Sequence, residues 1–466
     1  MNRWLFAMLL ALVVLAPLPL GSNREWSWTL CALGVGALLC LQGAGQWLLW
    51  LRTGHPSGAP GAQSAAGIPL VPLLLFIGVC AWIFLQTLPG VPLRWAHPMW
   101  PMAAAALAEP LPATITLSPT DTLTALMRLV TYAGVFGLAY QLGQDRGRAL
   151  LALRVLAWAG MAWAMLGLVL YGSGQALPWF PERDTSRVLQ GPFVNRNHFA
   201  TWLGLALLCA LGLLYARLGV RRNPAYQLPK GRAAQVEQFI VEAWRPLAGV
   251  LLILSALVLT QSRAGFAATL GGAVVLAWAL RRGSRRSNWR SGASLGAAIA
   301  VCVLAFTLTG RLLIERMDRL PDDAPGRFDT YALTTDALGD NPLLGYGYGT
   351  YANSFRLYRD DRITGWYDRA HNTYLENLFE LGWPAAMALF ASIGWCAWLC
   401  LRGLRRGRQD RTFPALGVAA TALVGLHAGF DFSLQIPAVA MAFALVLGIA
   451  CAQSRGGSTT ASRRAA

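Results

Sequence analysis

The side chains best suited to group-transfer chemistry lie far apart along the chain: His371, Arg196 and Arg263. His371 sits in the polar run Arg369-Ala370-His371-Asn372-Thr373-Tyr374-Leu375-Glu376-Asn377. An imidazole titrates near neutral pH and can take a proton from a sugar hydroxyl as a general base. Asp368 and Glu376 are the carboxylates close enough in sequence to partner its ring, while Asn372 and Tyr374 can bind substrate or orient the loop. The plainer alternative is a solvated loop histidine. Arg196 follows Asn195 and precedes Asn197 and His198 at the expected start of a helix, where free N–H groups and the helix dipole already favour an anion. Arg263 occupies the short turn Gln261-Ser262-Arg263-Ala264-Gly265 between two apolar stretches. A guanidinium fixed there can grip a phosphate through two parallel hydrogen bonds; the alternative is an arginine that reaches lipid phosphate at the headgroup level. Two arginines at two helix ends suggest one diphosphate clamp if they meet in space, with Asn195, His198 and Ser262 in support.

The elements that must position these groups are apolar helices. Hydrophobic residues make up 55% of the chain and charged residues only 13%, about half the charged share of a soluble domain. Apolar runs of membrane-spanning length recur from end to end, which predicts an all-α polytopic membrane protein. Hydropathy places twelve spans near 4–20, 27–51, 69–88, 122–142, 149–171, 198–216, 246–261, 264–280, 292–310, 383–401, 413–430 and 434–452. Residues 1–466 then form a single integral membrane domain, and 311–382 form one large polar loop within it. The net charge of +17 concentrates on alternate connections, such as Arg281-Arg282-Gly283-Ser284-Arg285-Arg286 and Arg402 to Arg411, and on the tail. This bias sets orientation rather than affinity for nucleic acid: both termini are expected in the cytoplasm and His371 on the outer face. All eight cysteines fall inside expected spans, which argues against a disulfide framework or a thiolate metal site.

The large loop carries further candidates. Tyr346, Tyr348, Tyr351, Trp366 and Tyr367 offer flat faces of the kind that stack on carbohydrate, with packing as the alternative. Asp322-Asp323 and Asp360-Asp361 lack the spacing of a Ca²⁺ loop and read as solvated surface; no metal and no cofactor is expected. Arg128, His427 and Asp431, near the outer ends of spans, are further candidates to line a cavity.

Three motifs together resemble the O-antigen ligase and O-antigen polymerase superfamily of bacterial envelope glycosyltransferases. They are Gly191-Pro192-Phe193-Val194-Asn195-Arg196-Asn197-His198-Phe199-Ala200, Ser262-Arg263-Ala264-Gly265, and His371-Asn372 followed by Gly382. The resemblance covers roughly Leu170 to Ala450. It departs from the family pattern at Ala385, where Gly, Thr or Tyr is more usual, and at Ala200, where Leu is expected. What it implies is a GT-C-like, metal-independent inverting transfer at the periplasmic face of the bacterial inner membrane. A glycan would move from undecaprenyl diphosphate to an acceptor hydroxyl on lipid A-core or on a growing glycan. His371 would be the base and Arg196 and Arg263 the diphosphate clamp. Within the superfamily the alternatives are a polymerase of exopolysaccharide or O-antigen and an O-linked oligosaccharyltransferase; outside it, the alternative is a polysaccharide transporter or flippase.

Overall fold

The structure is a computed structural model in which residues 2–53, 67–175, 188–220, 232–281, 324–363, 368–405 and 411–455 are described, without the side chains of 53, 217–220, 232–243, 245 and 324–325. The expected span at 292–310, the pair Asp322-Asp323, and Trp366 and Tyr367 lie outside the described residues. The described residues are all-helical, with no strands. Seven helices are long and apolar enough to cross a membrane: α2 (Glu25–Thr53), α5 (Pro119–Leu142), α6 (Arg146–Ser173), α7 (Arg196–Val220), α9 (Arg263–Arg281), α11 (Thr373–Arg405) and α13 (Pro437–Arg455). Shorter apolar helices join them: α1 (Asn2–Leu15), α3 (Leu70–Gln86), the part of α8 (Arg232–Leu259) that follows Pro246, and α12 (Thr412–Ala428). Two longer helices lie in connections: α4 (Met99–Leu107) and, within the large loop, α10 (Ala324–Asp340), which a single turn at Tyr351–Ser354 follows.

Local sequence explains where the spans begin. Ser118 accepts from the Asp121 amide and Pro119 occupies the first turn of α5, while Asp145 accepts from the Arg148 amide to start α6. Such caps satisfy the amides that a helix leaves orphaned. α13 is buried along nearly its whole length and α7 along most of it. α5, α12 and α11 pack around α13, and α9 lies against α12 and α7. Outer helices turn apolar side chains outward, as Trp47, Leu48, Trp50 and Leu51 do on α2; in a membrane bundle that face meets lipid at no hydrophobic cost.

α11 differs from the expected span. It begins at Thr373, ten residues before the apolar run, and is broken at Gly382, where φ is 74° and ψ 164°. The early segment buries polar Glu376, Asn377 and Glu380 against the large loop, so hydropathy does not register it. At the break, residues 342–347 run alongside the chain. The Tyr346 and Gly347 amides donate to the carbonyls of Phe379 and Glu380, and the Trp383 amide donates to Pro342. Any side chain at Gly382 would run into the Leu343 carbonyl, which is why this position needs glycine. Gln86, at the end of α3, donates to the carbonyls of Leu344 and Glu380 and accepts from the Tyr348 amide. The loop is thereby locked onto the bundle at the level of His371.

The tyrosines expected as carbohydrate platforms are largely the core of this loop. Tyr346 stacks on Phe379 at 4.5 Å and donates to Ala337 O. Tyr351 stacks on Phe355 at 4.9 Å and is hydrogen-bonded to Thr334. Both rings are buried and unavailable to a sugar; a folded polar loop needs its own apolar centre, and these residues supply it. Asp360 pairs with Arg362 at 2.8 Å on the surface.

Candidate active site

His371 is delivered by a strained turn. Its φ is 53°, in the left-handed region that costs a non-glycine residue about 1–3 kcal/mol. Three hydrogen bonds hold it there: Tyr331 donates to its carbonyl at 3.0 Å, and Asn372 caps α11 by accepting from the amides of Tyr374 (3.0 Å) and Leu375 (3.2 Å). Asn372 therefore shapes the loop. Tyr374, also named as a supporting residue, anchors the start of α11 to α12 by donating to Gly425 O at 2.7 Å.

The carboxylate facing His371 comes from elsewhere in the chain. Asp431, in the turn after α12, places Oδ1 3.9 Å from His371 Nδ1 and Oδ2 3.6 Å from His198 Nε2. Ser433 donates to Asp431 Oδ2, and its hydroxyl also lies 3.3 Å from His427 Nδ1, which in turn contacts Thr201 Oγ1 at 2.6 Å. Thr373 donates to the Asp431 carbonyl at 2.8 Å. Phe432 fills the centre, with the rings of His198 and His371 edge-on at 4.7 and 5.2 Å. Asp431 is fully buried. Burial alone would push its carboxyl up, but the imidazoles of His198, His371 and His427 and the Ser433 hydroxyl hold it well below the usual carboxylate range. It is therefore an anion at neutral pH, set between imidazoles from three segments.

Glu376, expected as a possible ring partner, is engaged otherwise. It pairs with Arg369 at 3.0 Å and accepts from the Ala370 amide (3.0 Å) and Gln435 Nε2 (2.8 Å). Asp368 is exposed. His198 is buried against Asp431 and Phe432, so it contacts the carboxylate rather than open space.

Arg196 and Arg263 are the first residues of α7 and α9, and those two helix starts lie side by side. Ser262 donates to Asn197 Oδ1 at 2.7 Å and accepts from the Gly265 amide, capping α9. Asn195 accepts from the Asn197 amide at 2.8 Å. A Cβ on Gly265 would lie 2.6 Å from the Ala200 Cβ, so only glycine allows this approach. Arg196 is half-buried and Arg263 exposed. The α7 start also carries His198, which links both arginine-bearing ends to the Asp431 cluster.

Residues 248–390 match the model of the family described as O-antigen ligase. That stretch is similar to the O-antigen ligase family. The matched stretch takes in Arg263, the described part of the large loop, His371 and the Gly382 break, and it supports a membrane enzyme of the O-antigen ligase and polymerase kind, a family whose substrates are in general a lipid-linked glycan and a glycan acceptor. No curated protein matches the chain. Arg196 and Asp431 lie outside the matched stretch, and it is the fold that brings their segments to the same end of the bundle. Asp431 was legible only as an ionisable residue at a span end, because its partners are distant in sequence.

Proposed function

We propose that this protein is a bacterial inner-membrane glycosyltransferase. It moves a glycan from undecaprenyl diphosphate to an acceptor hydroxyl on the periplasmic side, without a metal. The observation that carries this reading is the His371 imidazole set against the buried Asp431 carboxylate, beside two arginine-bearing helix starts. In the transfer, the acceptor oxygen attacks the anomeric carbon as the bond to the diphosphate oxygen breaks, inverting that centre. His371 takes the hydroxyl proton. Asp431 stabilises the imidazolium that forms, a job that needs charge at fixed distance rather than proton transfer to the carboxylate. The electron pair leaves with the diphosphate, where Arg196, Arg263 and the two helix N-termini offset the growing negative charge. Diphosphate is a good leaving group, so no general acid is required.

The test is transfer by purified protein in lipid with a polyprenyl-diphosphate-linked glycan. His371→Ala is expected to abolish turnover while retaining donor binding; wild-type turnover by this variant would remove the base from the scheme. Analysis of the glycosylated product (lipid A-core, longer lipid-linked chains, or protein) assigns the acceptor.

A further inference from the structure

A recess lined by three arginines lies at the end of the bundle away from the Asp431 cluster. It measures about 690 Å³ and is formed by Arg3 and Trp4 of α1, Leu48, Leu49 and Arg52 of α2, and Arg148 of α6. That size lies within the range of ligand pockets. Its distance from the chemistry follows from α13, which starts at Pro437, shortly after Asp431. Near its other end Gln453 donates to the carbonyls of Gly143 (2.7 Å) and Gln144 (3.0 Å), in the turn between α5 and α6. From Pro437 to Gln453 the helix rises about 24 Å at about 1.5 Å per residue. Arg148 follows one turn after Gln144, so the recess belongs neither to the proton transfer nor to the diphosphate clamp.

Among the described residues, no carboxylate lines this recess and no ion pair joins Arg3, Arg52 or Arg148 to an acid. The nearest acid in sequence to Arg148, Asp145, is engaged as the cap of α6, accepting from the Arg148 amide at 2.9 Å. The Arg148 side chain is itself held, its Nε donating to the Leu142 carbonyl at 2.6 Å. Arg52, in the last turn of α2, suits the helix dipole, but Arg3 and Arg148 lie in the first turns of α1 and α6, ends that favour anions over cations. A signal for membrane orientation needs only arginines on one side; it does not need three of them to share a recess with two helix starts. The rest of the wall is apolar and open, with Trp4, Leu48 and Leu49 exposed, and tryptophan favours the headgroup level. A free phosphate would use the arginines and ignore this surface, and a neutral lipid would do the reverse. One phosphodiester offsets only one of three cations. A lipid with two phosphodiesters in one headgroup, flanked by acyl chains, meets both demands.

We propose that this recess seats the headgroup of a diphosphatidylglycerol-type phospholipid, with Arg3, Arg52 and Arg148 on its two phosphates and its acyl chains along Trp4, Leu48 and Leu49. Basic pockets between membrane helices are suited to such headgroups. Bound there, the lipid bridges the ends of α1, α2 and α6. With the Asp431 end at the periplasmic face, as proposed above, it would belong to the cytoplasmic leaflet; the seat itself does not rest on that reading.

The experiment uses the full chain in phosphatidylcholine nanodiscs and follows its thermal midpoint as cardiolipin, phosphatidylglycerol at matched charge, or inorganic diphosphate is added. Cardiolipin is expected to raise the midpoint at mole fractions where the other two do not. Arg3→Gln combined with Arg52→Gln should raise the half-saturating cardiolipin fraction at least about tenfold. Arg402→Gln combined with Arg405→Gln removes the same charge from the same end of the bundle, where Gly403 packs on Ser454, but outside the recess, and should leave the response unchanged. Arg52→Gln alone, at an exposed helix end, serves if the first pair does not fold. An unchanged response in the recess variants overturns the proposal, as does an equal loss in the Arg402 and Arg405 pair. An equal response to phosphatidylglycerol (a charge contact only) or to inorganic diphosphate (an anion site without a lipid) overturns it too. None of these readouts measures glycan transfer, so the lipid seat and the transfer reading stand or fall separately.

Discussion

Asp431→Asn isolates the electrostatic part of the site. The substitution keeps the size of the side chain and an acceptor for Ser433, and it removes one negative charge 3.9 Å from His371 Nδ1. Two unit charges about 4 Å apart interact by about 4 kcal/mol at an effective dielectric near 20. That is the ceiling, reached if the imidazolium is fully formed in the transition state. With the proton half transferred, the loss is about 2 kcal/mol. At about 1.4 kcal/mol per tenfold in rate, turnover should drop between about 30-fold and 1,000-fold. KM for the lipid-linked donor should change little, because the charge acts on a species present only during reaction. The assay is steady-state transfer by the purified, lipid-reconstituted variant, with its thermal midpoint measured alongside. Turnover within about threefold of wild type, in a variant that is folded, would refute the assignment of Asp431 as the carboxylate that positions and charges the base.

Other predictions follow from the same geometry. Arg196→Ala or Arg263→Ala should each slow transfer by about 2.7–4 kcal/mol in the barrier, the usual cost of deleting one donor to a developing anion; a wild-type rate in either removes it from the clamp. Gly382→Ala should destabilise the fold by at least about 1–3 kcal/mol, because φ of 74° and the Leu343 carbonyl leave a Cβ no place; an unchanged thermal midpoint would contradict this. His97 is buried, and burial lowers its pKa to about 4. The unfolded chain therefore binds the proton first as pH falls. Stability is full above the ordinary histidine value near 6.5 and declines toward pH 4, by about 3 kcal/mol at about 1.4 kcal/mol per unit. His97→Gln should flatten that slope in an acid series of melting curves, and an unaltered slope would place the acid sensitivity elsewhere. Asp431, held low by its imidazole neighbours, has a profile of the same sign in a more acidic window: its stabilisation is full above the ordinary carboxylate value and is lost progressively as pH falls below it.

The sequence was most legible where structure depends on local composition. Twelve spans were expected from apolar runs, and among the described residues seven helices are long and apolar enough to cross a membrane; Arg196 beside Asn195 and Arg263 beside Ser262 do begin helices whose starts meet. Legibility ended where a residue's role depends on which face of an element it occupies. Glu376 is five residues from His371 and looked like its partner, but the left-handed turn at His371 and the cap at Asn372 swing the ring away from the helix face that carries Glu376 toward Arg369. The carboxylate that does face the ring is sixty residues further on, beyond two helices, and no periodicity connects the two. The tyrosines were ambiguous for a related reason: a ring that packs a loop core and a ring that stacks on a sugar have the same composition and differ only in burial. Arg128 shows the complementary case. In sequence it was one more cation near a span end; in the fold its Nε is buried without an acceptor and the guanidinium lies 4.8 Å over the Trp28 ring, a contact between helices a hundred residues apart that no local pattern announces.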